Sequence, residues 1–118
     1  AFINIAACFA DAMKVSNIVC GFNAEEGATF PDNTPQFVEA VNKSLHYSTE
    51  NHARVVAPVI GMDKVAIIKK GIEIGAPLDL SWSCYVSGEK PCGMCESCMR
   101  RARAFKRAGF ADPSLVVP

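Results

Sequence analysis

Four cysteines close to the C-terminal end offer the clearest chemistry in this sequence. Cys92, Cys95 and Cys98 form a C-x2-C-x2-C run, and Cys84 lies upstream of them. A tetrahedral zinc ion bound by thiolates needs four sulfur atoms at about 2.3 Å from the metal. Closely spaced cysteines on a turn supply this arrangement at little cost in loop-closure entropy, and Gly93 gives the turn the backbone freedom that it requires. The spacing therefore predicts a zinc site formed by these four cysteines.

Two other interpretations of the cysteines remain open. Iron–sulfur clusters are also held by thiolates, and three closely spaced cysteines with a more remote fourth suit a four-iron cluster. Disulfide or redox chemistry is the other alternative, although Cys92, Cys95 and Cys98 lie too close together to link distant elements. The pattern favours zinc over both. Since four thiolates leave no open position for water on zinc, we expect a structural ion.

The composition is that of a globular chain with one domain at most. Of its 118 residues, 50% are hydrophobic and 20% are charged, and the formal net charge is zero. A chain without net charge has no overall field to attract nucleic acid or anionic lipid, and no apolar run approaches the roughly 20 residues that span a bilayer. We therefore expect neither a membrane nor a nucleic acid as a partner. Reduced cysteines and the lack of an export pattern favour a cytoplasmic location.

Hydrophobic periodicity predicts helices that alternate with short strands. Short continuous apolar runs are typical of buried parallel strands, and capping residues mark the helix starts. The predicted elements are a helix over Phe2–Met13, a strand over Ile18–Phe22, a helix from a cap at Asn33 or Thr34 to about Ser48, a strand over Arg54–Ala57, a helix from a cap at Asp63 to a stop at Gly75, and a helix over about Glu96–Ala108.

The same periodicity predicts which side chains face the core. Two cysteines outside the quartet, Cys8 and Cys20, are interpreted as small buried apolar side chains without a function. The inner faces of the two middle helices are predicted to consist of Phe37, Val38, Val41 and Leu45 on the first, and of Val65, Ile68 and Ile72 on the second.

This order of elements predicts an α/β fold with a parallel sheet. Two strands are too few for an independent sheet of this kind, and the first helix opens at Ala1 without a capping residue. We therefore expect the remaining strands upstream of Ala1, in a longer protein. The tail, Asp112–Pro118, is expected to be frayed or bound to a partner.

A polar loop follows the first predicted strand. Ligands of parallel sheets bind beyond the carboxyl ends of the strands, and this loop places Asn23, Glu25, Glu26 and Asp32 there. An amide and three carboxylates suit a polar ligand, such as a heterocycle or a magnesium ion held together with phosphates. The alternative, favoured by the local features alone, is a solvated acidic turn followed by a helix cap.

The last predicted helix carries a basic face, and the sequence lacks a phosphate loop. The basic residues are interpreted as a solvated face that also offsets the net charge of −2 on zinc with four thiolates; a nucleic-acid surface is the less favoured alternative. No G-x-G-x-x-G, G-x-x-x-x-G-K-[ST] or Ser-Gly-Gly-x-Asp-Ser pattern occurs, so the main cradle for any ATP lies outside these residues. The residues of the basic face are Arg100, Arg101, Arg103, Lys106 and Arg107.

Several short segments together resemble one known family. The chain closely resembles the C-terminal half of the 7-cyano-7-deazaguanine synthases, the nitrile-forming, ATP-dependent ligases of queuosine and archaeosine biosynthesis, from Ala1 to about Gly109. The segments that carry the resemblance are Gly21-Phe22-Asn23-Ala24-Glu25-Glu26, Phe30-Pro31-Asp32, Ala57-Pro58, Asp63-Lys64, Trp82-Ser83-Cys84-Tyr85 and Cys92-Gly93-x-Cys95-x-x-Cys98.

The resemblance implies a Rossmann-like ATP pyrophosphatase fold of the adenine nucleotide alpha hydrolase (PP-loop) type, with residues 1–80 in its C-terminal part and 81–118 forming a zinc knuckle and helix. It implies a homodimer that uses ATP with Mg²⁺, 7-carboxy-7-deazaguanine and ammonia. The family's Ser-Gly-Gly-x-Asp-Ser loop is absent here, and no catalytic residue is identified. By the resemblance, Asn23, Glu26 and Asp32 belong to the substrate-binding loop over the active site, and the zinc ligands are Cys84, Cys92, Cys95 and Cys98.

One segment departs from the family pattern. Many members have Tyr-Pro-Asp-Cys-Arg where this chain has Phe30-Pro31-Asp32-Asn33-Thr34. The change removes an arginine, which is a bidentate donor for carboxylate or phosphate groups. Two alternatives to the nitrile synthase are therefore kept: a divergent PP-loop ligase that acts on another carboxylate, and a zinc-knuckle module that binds RNA or protein.

Overall fold

The computed structural model describes residues 1–86 and 88–115, in two compact units. The first unit is Ala1–Met62 and the second is Asp63–Pro118. The last three residues of the predicted frayed tail lie outside the described residues. The division expected from the resemblance, at residue 80, stays a prediction about the whole family fold.

The first unit is built on two short parallel strands, β1 (Asn17–Val19) and β2 (Arg54–Val56). Ile18 pairs with Val55 at the centre of the ladder. The parallel pairing confirms the α/β class, although β1 ends three residues before the predicted Phe22. The reason is the partner strand: the backbone turns after Val56, so beyond the bond from the Cys20 amide to the Val56 carbonyl (2.9 Å) β1 has no ladder to join.

Helix α1 (Phe2–Ala12) packs on this sheet through small side chains. Ala7 and Ala10 are buried, whereas Phe2 is 89% exposed. Alanines allow the helix backbone to approach the strands closely, and Ala7 joins Leu45 and Val55 in the core of this unit. The other large apolar residues at helical spacing on α1, which are Ile5, Phe9 and Met13, are also exposed in this chain.

Helix α3 (Pro35–Ser48) covers the sheet with the predicted inner stripe. Thr34 is its N-cap, and the Thr34 hydroxyl accepts a hydrogen bond from the Phe37 amide (3.2 Å). Leu45 is buried, and Val38 and Val41 pack against the core. The predicted cap and face of this helix are therefore confirmed.

Asn42 of α3 completes the hydrogen bonding of β2. Its side-chain oxygen accepts from the Val55 amide (2.6 Å), and its amide nitrogen donates to the Val55 carbonyl (3.1 Å). This pair of bonds imitates a neighbouring strand, and Val55 is only 2% exposed. Buried backbone groups need such partners, because leaving them unpaired is costly.

The second unit is a pair of helices, α4 (Lys64–Glu73) and α5 (Glu96–Ala108). Asp63 caps α4 by accepting from the Ala66 amide (2.8 Å), and Gly109 ends α5 in the left-handed conformation (φ +84°). The prediction for Ile72 is wrong, since this side chain is 38% exposed. The buried core of the unit consists of Ile68, Ala104, Phe105 and Ala108, with Val65 and Leu78 packed against it.

The sheet has two strands in the described residues, so the complete Rossmann-like pyrophosphatase fold stays a prediction. Over the same residues, every helix is too short or too polar to traverse a lipid bilayer.

Candidate metal centre

The four predicted cysteine ligands converge in the second unit. The sulfur atoms of Cys84, Cys92, Cys95 and Cys98 all lie within 4.8 Å of one another. In a regular tetrahedron with metal–sulfur bonds of about 2.3 Å, neighbouring sulfurs lie about 3.8 Å apart. A small contraction around a single ion would bring the quartet to that geometry. All four are free thiols, so the disulfide interpretation is wrong.

The start of α5 positions two of the sulfurs. Cys95 is the N-cap residue of this helix, and its sulfur accepts from the Cys98 amide (3.5 Å). Cys98 lies in the first turn and is buried. Gly93, with φ +72°, makes the tight turn that returns the chain from Cys92 to Cys95. A residue with a side chain is strained in this conformation.

Backbone amides surround the sulfur atoms and prepare them to carry negative charge. Cys92 accepts from the amides of Met94 (3.4 Å) and Cys95 (3.3 Å). Cys84 accepts from the amides of Val86 and Cys92, both at 3.3 Å. Hydrogen bonds to a thiolate favour the charged form. The turn therefore supplies fixed dipoles before any ion binds.

The pKa values of Cys92, Cys95 and Cys98 diverge. Backbone hydrogen bonds, from Tyr85 first and then Cys98, lower the pKa of Cys95 to about 6. The amides of Cys95 and Met94 lower the pKa of Cys92. Burial raises the pKa of Cys98 to about 12, and its bond with the Cys95 sulfur adds to the rise. A bound divalent cation would deprotonate the thiols outright.

The donor set fits zinc as a structural ion. Four soft sulfur donors in a tetrahedral arrangement are typical of zinc or an iron–sulfur centre, and the separations suit a single ion. When bound, zinc would cross-link the turn at Cys92, the start of α5 and the segment that carries Cys84, without offering a site for water.

Cys84 reaches the cluster from a segment outside the helices. The 3-10 turn Leu78–Leu80 precedes it, and the chain from Ser81 to Cys84 has neither helix nor strand. The indole of Trp82 donates to the Cys84 carbonyl (2.9 Å), so Trp82 contacts the segment that carries this cysteine. Cys84 itself is buried.

Helix α5 corrects the interpretation of the basic face. The predicted exposure of Arg101 is wrong, because its side chain is only 12% exposed and pairs with Asp112 at 2.6 Å. Arg100 is half-buried and pairs with Glu96 at 2.7 Å. Helical spacing alone predicts that Arg101 lies on the buried face of α5, because it follows Cys98 by three residues and precedes Phe105 by four. The cations exposed on α5 are Arg103, Lys106 and Arg107.

The polar loop after β1 is more ordered than predicted. Asn23 is the N-cap of a short helix, α2 (Ala24–Gly27), and its side chain accepts from the Glu26 amide (3.1 Å). Asp32 lies in a 3-10 turn, is exposed and accepts from the Asn33 side chain (3.1 Å). These bonds are those of the alternative interpretation, a turn followed by a cap. The predicted roles of Asn23, Glu26 and Asp32 in substrate binding stay a prediction.

The departure from the family motif has a structural role here. Thr34, at the position where many members have arginine, donates to the Pro31 carbonyl (2.7 Å) and caps α3. The residue at this position thus orders the turn from Pro31 into α3.

The remaining two cysteines differ from each other. Cys20 is half-buried and packs against the core of the first unit, and this burial raises its pKa. The prediction for Cys8 is wrong, because Cys8 is exposed on α1. The smaller Ala7 and Ala10 occupy the buried face instead.

Comparison with known proteins identifies the family of this chain. The sequence model of a family described as "Queuosine biosynthesis protein QueC" matches residues 1–109. The chain belongs to the QueC family. A 7-cyano-7-deazaguanine synthase of Methanosarcina mazei is 53% identical over 96% of this chain and 49% of its own length. The proteins of the same name from Pelotomaculum thermopropionicum and Methanosarcina barkeri are 55% and 50% identical, over 92% and 96% of the chain respectively and 49% of their own lengths.

The QueC match includes the whole cysteine cluster and the loop after β1. It ends at Gly109, the residue that terminates α5. The chain spans about half the length of these curated relatives.

Proposed function

We propose that the chain is part of an ATP-dependent ligase that converts 7-carboxy-7-deazaguanine and ammonia to 7-cyano-7-deazaguanine. The observation that carries the proposal is the QueC family match over residues 1–109, with four sulfurs converged within it. The relatives named 7-cyano-7-deazaguanine synthase, which are 50–55% identical to this chain, support the same activity.

The proposed reaction uses ATP to create two leaving groups in turn. A carboxylate oxygen leaves poorly, so a first ATP adenylates the acid and releases pyrophosphate. Ammonia attacks the acyl carbon, AMP leaves, and the amide forms. A second ATP adenylates the amide oxygen and releases pyrophosphate, and loss of AMP with two protons from nitrogen yields the nitrile. Each nitrile therefore requires two ATP molecules and releases two AMP molecules.

Within this proposal the chain contributes a structural centre and a loop near the substrate. The second unit is held together by zinc, while Asn23, Glu26 and Asp32 lie on the loop proposed to cover the reacting groups. Their amide and carboxylate oxygens suit the donors of a heterocycle or a magnesium ion. The chain lacks a Ser-Gly-Gly-x-Asp-Ser loop, so we propose that other residues of the enzyme hold the pyrophosphate and that these 118 residues alone are inactive.

The test is an assay of the full-length enzyme with the deazaguanine acid, ATP, Mg²⁺ and ammonium. We expect AMP release that requires both the acid and ammonium, with two AMP for each nitrile formed. Replacing the acid by its amide should lower the ratio to one. AMP release from the acid without nitrile formation would contradict the proposed product, and no AMP release with any carboxylate would exclude the ligase.

Thr34 favours one alternative, a ligase of the same type that acts on another carboxylate. It replaces an arginine suited to bind carboxylate or phosphate, so the usual ionic contact of that position is missing. A panel of heterocyclic carboxylates in the AMP assay separates the two possibilities. A higher kcat/KM for another acid would favour the divergent ligase, and restoring the basic residue with Thr34→Arg should then shift the preference towards the deazaguanine acid.

Assembly and location are part of the same proposal. By resemblance we propose a homodimer in the cytoplasm. Light scattering on the full-length enzyme tests this at concentrations about tenfold above and about tenfold below 1 µM. If the dimer is stable, the measured mass stays at twice that of one chain at both concentrations.

A further inference from the structure

The metal centre depends on delivering Cys84 to three sulfurs that come from another part of the chain. Cys92, Cys95 and Cys98 share one turn and the start of α5, so local backbone geometry brings them together. Cys84 follows a segment that has no regular structure after the 3-10 turn Leu78–Leu80. Some other contact must therefore fix this segment against α5.

Arg101 of α5 makes that contact. Its guanidinium donates to the hydroxyl of Ser81 at 2.7 Å and to the Ser81 carbonyl at 3.3 Å. The same group donates to the Leu78 carbonyl at 3.3 Å. Arg101 lies three residues after the ligand Cys98, and Ser81 lies three residues before the ligand Cys84. One side chain thus joins the two pieces of backbone that carry these ligands.

Asp112 holds the guanidinium in this orientation. Its two oxygens accept from Arg101 Nε (2.6 Å) and from a terminal nitrogen (2.8 Å), in a bidentate pair. The Ser114 amide and hydroxyl donate to the same carboxylate at 3.0 and 2.9 Å. Burial by itself raises the pKa of Asp112, but the bonds from Arg101 and Ser114 outweigh it and lower the pKa below its usual value. The carboxylate therefore stays charged at neutral pH.

Stability alone is a weak explanation for this ion pair. The side chains are 12% and 5% exposed, and the cost of removing two such charges from water largely offsets their attraction. What the bidentate geometry supplies is direction, since the planar guanidinium has its donors at fixed angles. Those remaining after Asp112 point at Leu78 and Ser81.

We propose that the Arg101–Asp112 pair is a positioning device for the metal centre, which fixes the segment Leu78–Ser81 against α5 so that Cys84 can act as the fourth ligand. Groups behind the ligands of a metal site typically change metal affinity by about 10- to 100-fold when they are replaced. The inference rests on the metal centre and not on the nitrile-forming reaction.

The test measures zinc affinity of the full-length protein by competition with a chelator, and uses cobalt(II) as a spectroscopic substitute. Arg101→Lys keeps the charge and removes the planar donors, and we expect a 10- to 100-fold loss of zinc affinity. The cobalt complex should lose part of its sulfur-to-metal charge-transfer intensity, because Cys84 coordinates the metal in a smaller fraction of the molecules. Arg103→Lys, on the exposed side of the same helix, is the matched control and should change neither property.

A double substitution separates positioning from general support of the fold. In a Cys84→Ser background the proposed task of Arg101 no longer exists, so adding Arg101→Lys should have little further effect. An equal loss of affinity in both backgrounds would overturn the proposal, as would an unchanged affinity of the single variant. A wild-type protein that binds no zinc would overturn it together with the metal centre, whereas the AMP assay tests the reaction independently.

Discussion

The two compact units differ in what holds them together. The first unit relies on a sheet of two short strands covered by helices, with Ala7, Leu45 and Val55 as its buried core. The second unit joins a small helix-pair core to a quartet of sulfurs at the start of α5. The core of the second unit is local to the two helices, and a metal ion bound by the sulfurs would add a cross-link that a core of this size lacks.

Helices α1 and α5 show the consequence of that difference. On α5 Phe105 is buried and the cations Arg103 and Lys106 are exposed, with Arg101 and Met99 as the exceptions to this division. On α1 Ala7 and Ala10 are buried, while Phe2 and Phe9 are 89% and 65% exposed. An amphipathic pattern thus identifies a helix in both cases, but it identifies the buried face only where the polar residues mark the other side.

Removal of zinc should have the largest effect on stability, and it should affect the second unit far more than the first. Structural zinc contributes an apparent free energy of about 10–16 kcal/mol in zinc-finger peptides at neutral pH, far more than a core of four buried residues supplies. We expect a strong chelator to abolish hydrogen-exchange protection in α5 and to leave that of β2 largely intact. Cys84→Ser, which leaves three of the four sulfurs, should reduce the protection of α5 without abolishing it, while Cys8→Ser, at an exposed cysteine, should leave it unchanged. Equal loss of protection in both units would show that the metal stabilises the whole chain.

Truncation of the core of the second unit should come next. Phe105 is 4% exposed, and Phe→Ala at such a site costs about 3–5 kcal/mol, because the cavity adds to the lost burial. The fluorescence of Trp82, the single tryptophan, reports unfolding of this unit in denaturant. Ile74→Ala, at a side chain that is 66% exposed, should change the free energy of unfolding by less than about 0.5 kcal/mol. A comparable cost for both variants would mean that Ile74 is covered in the intact protein.

A smaller effect is expected from Asn42 in the first unit. Asn42→Ala leaves the amide and carbonyl of Val55 without their side-chain partners, at a cost of about 1–3 kcal/mol. The Val55 amide should exchange faster in the variant, as followed by NMR. Lys43→Ala, at the exposed neighbouring position, is the control. Unchanged exchange at Val55 would show that another strand pairs with this edge in the intact enzyme.

Local patterns predicted most of the elements and the cysteines that converge. The caps at Thr34 and Asp63 and the stop at Gly109 lie where the sequence placed them. Helix α5 has the predicted bounds, Glu96–Ala108. Each of these features depends on residues a few positions apart, which is the range over which a sequence pattern carries physical information. The cysteine quartet belongs to the same class, since three of its ligands share one turn.

The errors concern residues whose surroundings come from distant parts of the chain. Strand β1 ends early because its partner turns away, and Arg101 is largely covered because Asp112 and Ser81 contact it. Cys8 is exposed because smaller neighbours face the sheet. The strand opposite β1, the partners of Arg101 and the sheet that selects the buried face of α1 are all distant in sequence, so residue type alone assigned the ordinary outcome: a continuing strand, a solvated arginine and a buried cysteine.

Spacing by itself determined that the sulfurs of Cys92, Cys95 and Cys98 would meet, because turn geometry and loop entropy act over a few residues. Its resemblance to one enzyme family likewise required only the order of short segments. Tertiary structure alone decided which faces of the helices are covered, where the strands stop, and that an arginine paired with a buried aspartate contacts the segment leading to Cys84. These outcomes depend on long-range contacts, whose free energies are realised only after the chain has folded.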